Sequence, residues 1–461
     1  MTGRPRPPLS RRTLIGTGLG VAVLTATGTG TARAAQHTSA TSAPHRAQAF
    51  LAAAMDAYPD HGTIRLTQSY TDQAGLFSTA FTYDNALAIL AHLACPAGES
   101  RAVALGDALL YAQAHDPVYD DGRLRQAYNV GPYTFYDGSP QPDGFVKADG
   151  TANVGTQFGF TGTAVGDMAW AGIALGALAG RTGERRFLTG AVRIGEWIER
   201  VGRTDEPLRG YKFGVNGADE KLPFTSTEHN TDLVGLFGRL ARLTGDKVWR
   251  ERRARARAFV EKMWEPSGGF FYTGTNDGVT INRSPIPEDT QTWTHLALTS
   301  PAHSRSRSRS LDWAATELAV LDTADRPNST VPSGQSYEGV TFSSASLLAN
   351  EDAPIADGQP RPDRNGVWFE GTAHLALALR HRGHSGDEKR ARRLLGSIER
   401  VQDLLGDSQT VGGTAVPARS GVVSASSPLD TGFGFGYYPY RHTGATAWYL
   451  LAAARANPLR A

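Results

Sequence analysis

From residue 45 onward the chain alternates between two apolar patterns. In the first, Phe187, Ala191, Ile194, Ile198 and Val201 recur at intervals of four and three, with Arg186, Arg193, Glu196, Glu199 and Arg200 between them. Ala391, Leu394, Ile398, Val401 and Leu405 repeat that stripe. A 3.6-residue period with one apolar face predicts helices that keep one side in water. In the second pattern, stretches such as Ala86 to Ala94, Met168 to Ala179, Leu233 to Leu243, Thr372 to Leu379 and Thr446 to Ala454 are apolar nearly all round and rich in Ala, Gly and Leu. Such helices are buried on every side.

The joints repeat too. Arg181-Thr182-Gly183-Glu184-Arg185-Arg186-Phe187 and Leu243-Thr244-Gly245-Asp246-Lys247-Val248-Trp249 both set a glycine after a buried helix and charge before an amphipathic one. Gly takes the left-handed conformation that ends a helix, so each phrase predicts a tight αα-hairpin. Pairs follow at 82–94 with 100–114, 166–180 with 185–201, 229–243 with 247–264, 290–298 with 309–322, and 367–381 with 387–405. The last buried helix, 443–456, lacks a partner, and the amphipathic segment 45–58 at the other end supplies one. The expectation is an all-α fold, an (α/α)6 toroid of six inner and six outer helices in one domain over 45–461. An open helical solenoid is the alternative. Loops rich in Gly, Pro and aromatics at 115–165, 203–228, 265–289, 324–366 and 406–442 precede the buried helices and should gather at one mouth, with short β segments such as Gly268 to Gly274 and Gly421 to Ser424.

The first 35 residues break the pattern. Ser10-Arg11-Arg12-Thr13-Leu14-Ile15, a diluted apolar run to Leu24 and the small-residue site Ala32-Arg33-Ala34 read as a twin-arginine signal peptide, with a Ser/Thr/Ala linker at 36–44. The export machinery that reads such signals is therefore an expected partner. The run is too short and too polar to span a bilayer, and no later stretch is apolar enough either. The whole chain carries 47 basic and 45 acidic residues; removing Arg4, Arg6, Arg11, Arg12 and Arg33 leaves a net charge of −3. Nucleic-acid binding needs a concentrated basic face, so it is not expected, and the run Ser304 to Ser310 with its three arginines reads as a solvated loop. Cys95 is the only cysteine, which excludes an intramolecular disulfide.

Each buried helix opens on a polar or aromatic phrase: Thr82-Tyr83-Asp84-Asn85, Gly166-Asp167-Met168-Ala169-Trp170, Thr227-Glu228-His229-Asn230, Glu288-Asp289-Thr290-Gln291-Thr292-Trp293, Trp368-Phe369-Glu370-Gly371-Thr372-Ala373-His374, and His442-Thr443-Gly444-Ala445-Thr446-Ala447-Trp448. In a closed ring these six entrances converge. Acidic residues also start helices as caps and dipole partners, and Thr225-Ser226-Thr227-Glu228 fits a capping box. A cap does not explain the histidines and tryptophans beside them. Paired carboxylates with aromatic platforms are what glycosidic chemistry needs, one carboxyl giving a proton to the leaving oxygen while the other activates water or attacks the sugar. The candidate catalytic carboxylates are Glu228, Asp84, Glu288, Glu370 and, in the aromatic rim loop 426–438, Asp430. Tyr83, Asn85, Trp170, His229, Asn230, Trp293, Trp368, His374, Tyr437 and His442 are candidates for holding substrate.

The phrases Tyr83-Asp84-Asn85, Thr227-Glu228-His229-Asn230 and Trp368-Phe369-Glu370-Gly371, on that alternation of helices, resemble secreted bacterial members of the six-hairpin glycosidase-like superfamily over residues 45 to 456. The resemblance implies an (α/α)6 barrel acting on an oligosaccharide or polysaccharide, as a glycoside hydrolase or as one of the lyases and sugar epimerases that share the superfamily. A lyase or epimerase would use His or Tyr as base, with His229, His295, His374 and His442 available, and a lyase would want cations such as Arg123, Arg125, Lys212 and Arg283. A non-catalytic glycan-binding protein would keep the aromatics without the acid pair. No serine elbow, zinc motif or phosphate loop appears, so no metal or cofactor is expected.

Overall fold

The computed structural model describes residues 42–298 and 306–460. The signal peptide, residues 36–41 of the linker and the start of the Ser304–Ser310 run lie outside the described residues. Twelve helices order the described chain, and we number them α1 (Ala43–Met55), α2 (Thr82–Ala94), α3 (Glu99–Ala114), α4 (Val165–Thr182), α5 (Arg185–Gly202), α6 (Thr227–Thr244), α7 (Lys247–Lys262), α8 (Glu288–Ala297), α9 (Arg309–Glu317), α10 (Phe369–Arg382), α11 (Asp387–Leu404) and α12 (Thr443–Ala453). Even-numbered helices form the inner ring. Each packs on the next, α12 closes against α2, and the odd-numbered helices lie outside, with α1 against α12. The toroid read from the sequence is the fold.

The two apolar patterns account for the two layers. In α5 the buried side chains include Phe187, Ala191, Ile194 and Ile198, the predicted stripe. In α4 burial runs without a break from Val165 to Gly176. Gly183 and Gly245 end α4 and α6 at φ +73° and +74°, left-handed turns that a Cβ would strain. Two boundaries differ from expectation. α1 begins at Ala43, inside the linker read at 36–44, because Pro44 suits the first turn of a helix. The helix expected to 322 stops at Glu317, and Ala319–Thr323 instead pairs antiparallel with Ser336–Val340, its buried and exposed residues alternating as in a strand.

A sixfold hydrogen-bond scheme fixes the entrances. The first N–H of each inner helix donates to a carbonyl in the segment leading into the next inner helix: Thr82 to Gln126, Val165 to Phe213, Thr227 to Thr273, Glu288 to Phe342, Phe369 to Ser424 and, closing the circle, Thr443 to Ser69. The fourth residue of each inner helix accepts an N–H from its own lead-in segment. Asn85, Asn230, Gln291, Thr372 and Thr446 take those of Thr67, Tyr211, Phe271, Val340 and Val422, and Met168 Sδ takes that of Leu124. Donors that a helix start leaves orphaned are thereby satisfied in a dry interior, and every entrance is held at one level.

Candidate active site

The second residues of three inner helices meet over the axis. Tyr83 of α2 donates its hydroxyl to Glu370 Oε1 of α10 at 2.6 Å, and Trp448 Nε1 of α12 donates to the Tyr83 oxygen at 2.9 Å. Gly444 is the second residue of α12. A Cβ there would come to 2.7 Å from Asp84 Oδ1 and 3.1 Å from Glu370 Oε2, which bounds the separation of these carboxylate oxygens at about 6 Å. Glycine is therefore required by close approach: any side chain would displace the carboxylates.

His442, immediately before α12, joins the pair. Its Nδ1 accepts the Ala445 N–H and caps the helix, which leaves the ring proton on Nε2, 3.1 Å from Asp84 Oδ2. Nδ1 lies 3.6 Å from Glu370 Oε2. Beyond Glu370 the alternation continues, with His374 Nε2 3.7 Å from Glu370 Oε1 and His374 Nδ1 3.2 Å from Glu288 Oε2. Asp84, His442, Glu370, His374 and Glu288 form one chain of alternating carboxyl and imidazole groups at the positive ends of converging helix dipoles. Exposure falls along it, from 3 % of the side chain at Asp84 and 2 % at His442 to none at Glu370, His374 and Glu288. Burial, then the charges of Asp289 and Glu370, hold the Glu288 carboxyl well above the usual carboxylate range. Tyr70 stacks on the His442 ring at 4.1 Å.

The remaining candidates divide. Glu228 is buried as the second residue of α6, in register with Glu370, while the cap of that helix comes from Ser226 Oγ, which accepts from His229 N. A capping-box acid stands one position later, so Glu228 does not occupy that role. Asp430 sits half-buried on the rim hairpin Leu429–Asp430 with Gly436–Tyr437, accepting from Gly432 N, and burial raises its pKa. It is not among the groups gathered around Gly444. Asn85 and Asn230 commit both ends of their amides to backbone, Asn85 to Thr67 and Phe81 and Asn230 to Tyr211 and Ser226, so they hold loops in place. Trp170, Trp293 and Trp368 are fully buried: Trp170 and Trp293 pack with Trp448 beneath the centre, and Trp368 wedges under the rim loop. Tyr437 stacks on Trp368 and lines a rim pocket with Tyr70.

His229 packs against Phe213 at 4.4 Å and would meet any Cβ on Gly166, so it fills space between α4 and α6. His295 lies at the other end of α8, where burial lowers its pKa to about 4. Of the cations a lyase would want, Arg123 pairs with Asp121 and Asp219, Arg125 with Asp116 and Lys212 with Glu206, while Arg283 donates to the Tyr272 hydroxyl. Tyr70 and Gly444 were not read as site residues. A tyrosine in an unpatterned lead-in gives no signal, but a glycine in the first turn of a buried helix, where it costs helix stability, does.

No family model and no curated protein matches the sequence. Solved structures do match in shape. The chain is similar to a D-mannose isomerase (12% identity, TM-score 0.57, covering 90% of this chain and 96% of that one) and to a cellobiose 2-epimerase from Bacillus thermoamylovorans B4167 (12%, 0.55, 88% and 95%). It is also similar to a family 76 glycoside hydrolase from a bovine Bacteroides thetaiotaomicron strain (10%, 0.54, 90% and 78%). At such identities the likeness establishes the fold. The chain shares the (α/α)6 architecture of these proteins.

Proposed function

We propose that this protein is an enzyme acting on sugars, and that it is a glycoside hydrolase working from the Asp84–His442–Glu370 centre on an oligosaccharide or polysaccharide outside the membrane. The observation that carries the reading is the convergence of two carboxylates within about 6 Å over Gly444, a spacing suited to a carboxylate pair astride a glycosidic bond. The Tyr83 hydroxyl aimed at Glu370 serves a carboxylate that assists water or attacks the anomeric carbon. Asp84, oriented by the His442 Nε2–H, is placed to deliver a proton to the leaving oxygen. The same fold in a family 76 glycoside hydrolase supports the reading as analogy.

A second reading has its own support. Each carboxylate of the centre touches an imidazole, the group an epimerase or isomerase would use to move a proton at a sugar carbon, and two of the structural neighbours carry those names. Product analysis on a panel of glycans separates the two. Hydrolysis shortens a chain and creates a new reducing end, lost by roughly 100-fold or more in Glu370→Gln and Asp84→Asn with unchanged melting temperature. Conversion of a free sugar to its isomer, with no chain shortened, supports the second reading. Full activity in both variants refutes the centre altogether.

A further inference from the structure

Beside the centre lies a pocket that the hydrolase reading leaves unused. Tyr70, whose ring stacks on the His442 imidazole, also lines it, together with Tyr437, Tyr438, Tyr440, Phe435 and Ile355. Among the described residues that line it, none carries a charge. Of the two polar non-aromatic side chains there, Ser424 Oγ is spent on the Tyr438 carbonyl, which leaves Gln359. Burial pushes the phenols of Tyr438 and Tyr440 up.

A sugar ring presents hydroxyls around its whole edge, and each one buried without a partner costs free energy. A site for a sugar therefore needs polar groups in the plane of the ring as well as a stacking face. The pocket supplies the rings of Tyr70, Tyr437, Tyr438, Tyr440 and Phe435 with no charged side chain, which suits a flat aromatic group that presents its face to them and one oxygen to a tyrosine hydroxyl. Its position is equally specific. Tyr70 borders both the pocket and the centre, its ring stacked 4.1 Å from that of His442.

We propose that this pocket binds an aromatic aglycone, so that the substrates are aryl glycosides whose sugar lies over the carboxylate pair and whose aryl group lies between Tyr70 and Tyr438. The proposal rests on the hydrolase reading for the bond that is broken. Water adds to the anomeric carbon, the bond from that carbon to the aryl oxygen breaks, and the proton passes to that oxygen, releasing a phenol and a free sugar.

The test begins with binding, which needs no turnover. 4-Nitrophenol titrated into the folded protein should quench tyrosine fluorescence saturably. Ala356→Trp, which fills the pocket from an exposed loop position, should weaken that binding at least 10-fold at unchanged melting temperature. Asp84→Asn should bind the phenol as wild type does, so loss of turnover there leaves the pocket intact, and a phenol-binding result stands whether or not the hydrolase reading does. With 4-nitrophenyl glycosides, Ala356→Trp should raise KM more than it lowers kcat, while methyl glycosides of the same sugars should respond to neither tyrosine pocket nor variant. Absence of 4-nitrophenol binding, or equal binding by Ala356→Trp, overturns the proposal. So does a matching loss of affinity for free oligosaccharides in that variant, which would make the pocket a sugar subsite.

Discussion

At the scale of single residues, His442 decides what the centre can do, because both its ring nitrogens are assigned by neighbours: Nδ1 to the Ala445 N–H and Nε2 to Asp84. The sequence showed the polar residues at the entrances but not which would touch. Asp84, Glu370, Tyr83, His374 and His442 were readable as entrance residues, since each opens or follows the start of a greasy helix. Asn85 and Asn230 stood in the same phrases and serve the backbone instead; an amide can do either, and only its partners distinguish the roles. Trp170, Trp293 and Trp368 stood in the same phrases and pack inside the barrel, and no local pattern tells a sugar platform from a core indole. Glu288 yields a prediction at this scale. Its folded pKa lies above the unfolded 4.5, so the folded state binds the extra proton, and that stability is present at low pH and lost as pH rises through the folded value. Glu288→Gln removes the titrating group while keeping the shape. Melting temperature measured against pH should therefore fall less for the variant than for wild type above pH 4.5, and parallel curves would show that Glu288 is not held neutral.

At the scale of elements, the legible features were those with a period. The alternation of wet and dry helices gave the pairs to within a few residues, and glycine after a buried helix gave the hairpin turns. The lead-in segments have no period, and their order comes from contacts far apart in sequence: Thr443 to Ser69 and Val422 to Thr446 join parts of the chain that no local pattern links. The strand Ala319–Thr323 was hidden by its continuity with the helix before it. The clamp at the fourth helical residue predicts a stability cost. Thr446→Val keeps the β-branched shape but removes the oxygen that accepts the buried Val422 N–H, which should cost about 1–3 kcal/mol in denaturant unfolding. The exposed Thr189→Val, whose hydroxyl bonds only within its own helix, should cost less than about 0.5 kcal/mol. Equal costs would mean that the sixfold scheme contributes nothing beyond ordinary helix hydrogen bonds.

At the scale of the whole molecule, the ring ties its two ends together. α1 packs on α12, and Arg46 pairs with Asp403 at the far end of the described chain while donating to the Arg419 carbonyl. Such a fold is complete only when the last helix is made. We propose that Arg11 and Arg12 head a twin-arginine export signal. Replacing both arginines with lysine keeps the charge and removes the guanidinium geometry. Precursor should then accumulate inside the cell, as followed by immunoblot of cell and medium fractions, whereas normal export would contradict the twin-arginine reading.

The central claim is that the carboxylates converging over Gly444 direct water at an anomeric carbon. Mass spectrometry of products formed in ¹⁸O-labelled water tests it most directly. The account predicts one labelled oxygen at each new reducing end when a glycan or aryl glycoside is turned over by wild type, and none above background with Glu370→Gln. Label at the reducing end in equal yield from the variant, or, in a parallel run in D2O, solvent deuterium on a sugar carbon with no bond hydrolysed, would contradict it.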